Sequence, residues 1–324
     1  GLALIGGGEY WQKKYPIWAQ PLTGAGIAVW YLSIFAAFAL YGLLPPLAAF
    51  GLFSIVTLAA AALALRYESI PIAVIGILGG FLTPILLDER LPDQWLLLAY
   101  VLVLDLGVLA LATFRNWRWF TLVGLVASYL LFALLLDQIP VGDLILAQVG
   151  LTGIFLVFVG ATTLFHIVWQ RVPQAFDHSL VVINVSAYLG ISYGLLWDDF
   201  RLWMGGFTLL LSLFYGAIAY LALVRGREHV YLSFMALGIA LVLLTIAVPV
   251  QLGGPWVSVA WAAEGAVLMW LSFTLRMWQL RVFGVGVFAI LAIRLLAVDT
   301  PVDLRDFRVF LNYRMLAFGA GIIS

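Results

Sequence analysis

Two acidic residues stand alone near the middle of long apolar segments: Asp105 within Trp95–Phe114 and Glu264 within Pro255–Leu275. A carboxylate at a bilayer centre costs ~2.5–3.5 kcal/mol on insertion scales, so such a residue implies ion or ligand binding, proton transfer or interhelical pairing. Two cations, Arg294 and Arg314, also fall inside apolar segments, with Asn312 beside the second. Charges in hydrocarbon must pair, neutralise or meet water. The sequence therefore predicts a polar cluster of Glu264, Arg294, Arg314 and Asn312, because the spans that carry them are consecutive. It serves either as a structural ion pair or as a substrate or ion site. Asp105 has no sequential partner. Either it is protonated and bonded to a neighbouring helix, or it lines a wet cavity.

These residues must be positioned by membrane-spanning helices. The chain has 324 residues, 65% of them hydrophobic and 10% charged, against about 25% charged in soluble domains. A spanning helix needs about 20 mainly apolar residues. That rule marks eleven spans, near 22–43, 46–65, 69–87, 95–114, 119–136, 144–169, 178–197, 202–224, 229–250, 255–275 and 280–298, and a truncated twelfth from about Arg308. The expectation is an all-α polytopic integral membrane helix bundle, a single transmembrane domain over 1–324. The apolar runs at both ends suggest a fragment of a longer protein.

Alternate loops differ in charge. One side receives Lys13, Lys14, Arg66, Arg115, Arg118, Arg171, Arg225, Arg227, Arg276 and Arg281, and the other only Arg90, Arg201, Arg305 and Arg308. The second side also holds Asp88, Glu89, Asp93, Asp137, Asp143, Asp198, Asp199, Asp299, Asp303 and Asp306. Basic loops mark the cytoplasmic face, so the expected location is the inner (cytoplasmic) membrane with the Asp-rich loops outside. Trp95, Trp119, Trp169, Trp197, Trp203 and Trp256 fall at span ends, where amphipathic rings favour the interface.

From these ends, the helical rise sets depths. Asp105 lies ~15 Å and Glu264 ~13 Å below the outer face, with Arg294 at ~6 Å and Arg314 at ~9 Å. The third span contains Gly79-Gly80 and Thr83-Pro84. Glycines weaken a helix and proline removes a donor, which predicts one broken helix near Gly79–Pro84. Such breaks aim backbone groups at midplane sites in transporters. The same residues also suit a kink or a close helix crossing. Small-residue pairs recur at Gly24 and Gly26, Gly150 and Gly153, Gly205 and Gly206, and Gly284 and Gly286, with a strict GxxxG at Gly190 and Gly194. These predict packing seams.

Several classes of function are disfavoured. Zero net charge argues against a nucleic-acid partner. The absence of cysteine excludes disulfides, iron–sulfur clusters and thiolate metal sites. Three scattered histidines, His166, His178 and His229, offer no metal-ligand spacing, so neither a metal nor a cofactor is expected. The acids of the outer loops are spread over short connections, with no outer domain for an enzyme to use.

The stretches LTGAGIAVWYLSIFAAFALYGLLPP, ALRYESIPIAVIGILGGFLTPILL and LLAYVLVLDLGVLALATFRNWRWF, with the later WAAEGAVLMWLSFTLRMWQLRVFGVGVFAILAIRLLAVD and LNYRMLAF, resemble the bacterial predicted membrane protein family filed as domain of unknown function twenty-three thirty-nine. The resemblance covers most of the chain. Gly79, Gly80, Pro84, Asp105, Glu264, Arg294, Asn312 and Arg314 fall in its family-like motifs. It implies the class and carries no activity.

Three readings follow. The first is a transporter-like protein, or one that binds a small molecule or lipid at a mid-membrane polar site. The second is a non-catalytic scaffold or accessory subunit. The third is an envelope enzyme acting on a lipid-linked substrate, which the tight loops disfavour. Expected partners are membrane lipids and either another membrane protein or a second copy of the chain.

Overall fold

A computed structural model describes residues 1–12, 14–87, 94–115, 118–135, 141–164, 175–225, 230–274, 276–298 and 313–324. Among them every regular element is helical. The order is α1 (Leu2–Gln12), α2 (Pro16–Phe35, continued by a π-helical turn at Ala36–Leu40), α3 (Pro46–Tyr67), α4 (Ile70–Leu87), α5 (Gln94–Arg115) and α6 (Arg118–Leu135). Then follow α7 (Leu144–Val159, with a π-helical turn at Gly160–Leu164), α8 (Ala175–Arg225), α9 (Val230–Gln251), α10 (Trp256–Thr274), α11 (Trp278–Ala297) and α12 (Tyr313–Ile323). The protein is an all-α polytopic membrane helix bundle.

The described residues hold seven helices long and apolar enough to cross a membrane, and three shorter apolar ones at Ile70–Leu86, Leu98–Ala110 and Trp119–Leu134. Helix α8 carries two of the predicted spans. They join at Phe200, whose φ of −123° and ψ of 23° leave the helical region. Each full span read from the sequence thus coincides with a helix or with half of α8.

Why these helices suit lipid is visible in their faces. Helix α3 buries Ala49, Phe53, Val56, Ala60 and Ala64 at helical spacing, whereas Ile55 and Leu58 are 62% and 65% exposed. Both faces are apolar, so no water-facing stripe exists. Cohesion between such helices comes from close packing and hydrogen bonds rather than from expelling water.

Contacts divide the chain into two compact units, Gly1–Leu164 with Ile183–Ile191, and Phe165–Val182 with Ser192–Ser324. In the first, glycines permit close crossings of α5 with its neighbours. A Cβ at Gly80 would lie 2.8 Å from Leu104, one at Gly124 2.8 Å from Val108, and ones at Gly150 and Gly153 2.6 and 2.9 Å from Leu98 and Leu102. In the second unit a core of Trp261, Ala262, Leu268, Val287 and Leu291 joins α10 to α11, and α12 packs on both. Helices α8 and α9 are tied by the Ser212 hydroxyl donating to Ala240 O (2.7 Å) and Ser233 donating to Ala219 O (2.8 Å). The strict GxxxG at Gly190 and Gly194 is not a seam among the described residues, since a Cβ at either would meet nothing within 4 Å.

The predicted break near Gly79–Pro84 is not there: α4 runs unbroken from Ile70 to Leu87 with Pro84 inside it. Pro84 has no N–H to give the carbonyl four residues back. That carbonyl, Gly80 O, accepts instead from the Tyr100 hydroxyl of α5 at 2.8 Å. The Thr83 hydroxyl donates to Gly79 O at 2.8 Å. The two glycines serve close approach, for a Cβ at Gly79 would run into the Tyr31 ring. The crossing alternative accounts for the motif.

Tyr100→Phe strands the buried Gly80 carbonyl and destabilises the fold by about 1–3 kcal/mol. Pro84→Ala restores a backbone donor, so the double variant recovers most of that loss. Unfolding of the four proteins in detergent measures the coupling, and additive effects would refute this account of the helix.

Candidate functional site

Asp105 lies on the face of α5 that meets α6, and its side chain is fully buried. The spacing of Gly124 and Ser128, one turn apart, puts a gap and a hydroxyl on the same face of α6. Ser128 Oγ is hydrogen-bonded both to Asp105 Oδ1 and, at 2.7 Å, to Gly124 O. Asp105 Oδ2 is buried with no hydrogen-bond partner among the described residues. Of the two sequence alternatives for Asp105, the bond to a neighbouring helix is the one the geometry contains.

A polar ladder continues among α6, α7 and 183–191. Tyr129 donates to Asn184 Oδ1 at 2.7 Å, and Asn184 Nδ2 donates to Phe155 O at 3.1 Å. Gln148 Nε2 donates to the Tyr188 hydroxyl at 3.2 Å, and that hydroxyl also meets Thr152 Oγ1 at 2.9 Å. Tyr188 stacks on Phe155 with centroids 4.3 Å apart. These bonds link the helices.

In the second unit Glu264 of α10 is half-buried. Its Oε1 is 2.7 Å from Thr245 Oγ1 of α9, and Oε2 is buried without a hydrogen-bond partner among the described residues. Trp261 Nε1 donates to Thr245 O at 3.1 Å. Arg294 of α11 turns elsewhere. Its Nε donates to Ser258 Oγ at 3.1 Å, a terminal nitrogen donates to Gly254 O at 2.9 Å, and its guanidinium lies 5.8 Å from the Trp261 ring centre. Gly254 takes the left-handed φ of 57° that glycine tolerates, presenting its carbonyl at the mouth of α10.

The expected direct Glu264–Arg294 pair is therefore not among these contacts. Ser258 and Glu264 are six residues apart, ~9 Å along one helix, and the Trp261 ring stands between. Arg294 reaches the end of α10 and Glu264 its middle. Asn312 and the side chain of Arg314 lie outside the described residues, although Arg314 belongs to α12. The outer-loop acids, except Asp143, Asp198 and Asp199, also lie outside them.

A feature not anticipated from the sequence is an apolar crevice of about 300 Å³ between α3, α4 and α5. Phe50, Ser54, Thr57, Gly76, Tyr100 and Gly107 are among the residues that line it. Ser54 donates to Phe50 O at 2.8 Å, Thr57 to Phe53 O at 2.9 Å, and Tyr100 to Gly80 O at 2.8 Å. Every hydroxyl in the wall thus has a carbonyl of its own. Asp105 is not among the lining residues, although its neighbours Leu104 and Val108 are. The sequence signal was Gly107, one turn from residues that do pack. Only the placement of three helices shows that it faces a gap.

If Glu264 and Arg294 act separately, Glu264→Gln and Arg294→Met are additive within about 0.5 kcal/mol. Glu264→Gln and Thr245→Val, which share a contact, are not. A double-mutant cycle on detergent unfolding separates these, and strong Glu264–Arg294 coupling would restore the ion-pair reading.

Comparison with curated proteins and with solved structures finds no match. The family model described as Predicted membrane protein (DUF2339) matches residues 1–320. With apolar helices recurring from α2 to α11 and a match of that extent, the chain belongs to this family of multi-pass membrane proteins.

Proposed function

We propose that this membrane protein binds an elongated apolar molecule, the acyl chain of a lipid, in the crevice between α3, α4 and α5. The observation that carries the proposal is the crevice itself. Its volume of about 300 Å³ is at the lower end of the range for ligand pockets, and its hydroxyls are all committed to backbone carbonyls. Such a wall offers dispersion contacts and no spare donor, which suits hydrocarbon and disfavours a sugar, an amino acid or an ion. The acids of the bundle take no part in this reading, and transport is not required of it.

Gly107 gives a clean probe, because a Cβ there would meet nothing within 4 Å. Gly107→Trp fills the crevice without displacing backbone. A phospholipid with a photoreactive acyl chain is expected to label α3 and α5 in nanodiscs. The variant should lower that labelling roughly tenfold, the equivalent of about 1.4 kcal/mol. Equal labelling of wild type and variant, spread evenly over the lipid-facing helices, would sink the proposal.

The orientation belongs to the same reading: basic loops in the cytoplasm of a bacterial cell and acidic loops outside the inner membrane, supported by the loop charges. The chain has no cysteine, so single cysteines report without background. Tyr41→Cys and Gly253→Cys should react with an impermeant maleimide from outside intact cells, and Lys14→Cys and Arg276→Cys only after lysis. The reverse pattern would invert the topology.

A further inference from the structure

Asp105 and Glu264 use one local arrangement, each within its own unit. Ser128 Oγ touches Asp105 Oδ1 and lies 2.7 Å from Gly124 O, one turn back on its own helix. Thr245 Oγ1 lies 2.7 Å from Glu264 Oε1 and 2.9 Å from Leu241 O, also one turn back. A hydroxyl owns a single hydrogen. Neither the backbone carbonyl nor a carboxylate has one to give, so the hydroxyl hydrogen can serve only one of the two oxygens. The second close oxygen–oxygen contact is then a hydrogen bond only if the carboxyl supplies the proton.

The same arrangement recurs with tyrosine in place of the acid. Tyr31 meets Thr57, which donates to Phe53 O. Tyr188 meets Thr152, which donates to Gln148 O. Tyr193 meets Thr208, which donates to Met204 O. In each of these the phenol has the remaining hydrogen. A neutral carboxyl is the acid that can take the phenol's part; a carboxylate cannot.

The other carboxyl oxygens agree with this. Asp105 Oδ2 and Glu264 Oε2 are buried without a hydrogen-bond partner among the described residues. An unbonded carbonyl oxygen of a neutral acid costs a few kcal/mol at most, and half of an isolated carboxylate far more. An ion pair joins Arg66 to Glu9 at 2.7 Å, between exposed side chains, and involves neither acid.

We propose that Asp105 and Glu264 are two proton-binding sites of one design, each held as a neutral acid that donates to a back-bonded hydroxyl on the adjacent helix. The ligand is the proton, and the hydroxyl–carbonyl pair on the neighbouring helix is what holds it in place. Neither site, in this state, presents a charge to a cation. The proposal stands apart from acyl-chain binding, because neither acid lines the crevice.

Infrared spectroscopy of the full chain in nanodiscs at neutral pH tests it. The wild-type protein should show protonated-carboxyl C=O absorption. Part of it should shift when aspartate is ¹³C-labelled and part when glutamate is, with no substitution required. Asp105→Asn should remove the aspartate part and Glu264→Gln the glutamate part. Ser128→Ala and Thr245→Val should each move the matching part to higher frequency, as a carboxyl that has lost its acceptor does. Should a variant fail to fold, the isotope shifts in the wild-type chain still decide. Absence of a protonated-carboxyl band, or a band that ignores both labels, would overturn the proposal. A band shifted by only one label would overturn it for the other residue.

Discussion

Inside a bilayer no water arrives to satisfy a stranded carbonyl or hydroxyl, and the detailed structure of this protein follows from that constraint. Where Pro84 removes a donor from α4, the Tyr100 hydroxyl of α5 fills the vacancy at Gly80 O. Many span serines and threonines bond back to their own helix, as Thr23, Ser54, Thr57, Thr162 and Thr208 do, while Ser212 and Ser233 bond carbonyls of the adjacent helix. A back-bonded hydroxyl still has lone pairs, and tyrosines of other helices use them. Polar satisfaction and helix–helix adhesion are here one set of bonds.

The same rule shapes the crevice. Its wall contains serine, threonine and tyrosine, residues that elsewhere mark a polar pocket, yet each hydroxyl already has a carbonyl. What remains exposed to the gap is hydrocarbon. Helix α5 is central to this arrangement: glycines on α4, α6 and α7 admit its leucine and valine side chains, while Gly107 leaves a place where nothing is admitted. Tight crossings on several sides hold open a gap on another.

The two acids were the strongest signal in the sequence, and their positions along their helices were legible from the helical rise. Their partners were not. Adjacency in sequence suggested that Glu264 would meet Arg294, but partner choice depends on the axial offset of α10 against α11, and that offset sets Arg294 at the first turn of α10, beside Ser258 and Gly254. Thr245, an inconspicuous residue of α9, takes the carboxyl instead. Asp105 looked unpartnered because its partner, Ser128, is on the next helix and is one of many serines. Such residues differ only in which face they present and at what height.

Composition and apolar run length by themselves determined the class and the helices, though α2 begins at Pro16 rather than near 22. Each depends on local chemistry: a run of apolar residues long enough for a bilayer, ended by charge, proline or glycine. The double span of α8 was legible on the same terms, with Asp198-Asp199 marking the place where Phe200 bends it. Tertiary structure alone decided what the punctuating residues do. Gly79-Gly80 and Pro84 read as either a break or a close crossing, and tyrosines of two other helices made them a crossing. Gly190 and Gly194 read as a seam, yet a Cβ at either meets nothing within 4 Å among the described residues. A helix that loses one backbone bond stays whole if a neighbour replaces it, and a small residue becomes a seam only where another helix comes close. Both outcomes depend on residues far away in the chain, which local sequence cannot specify.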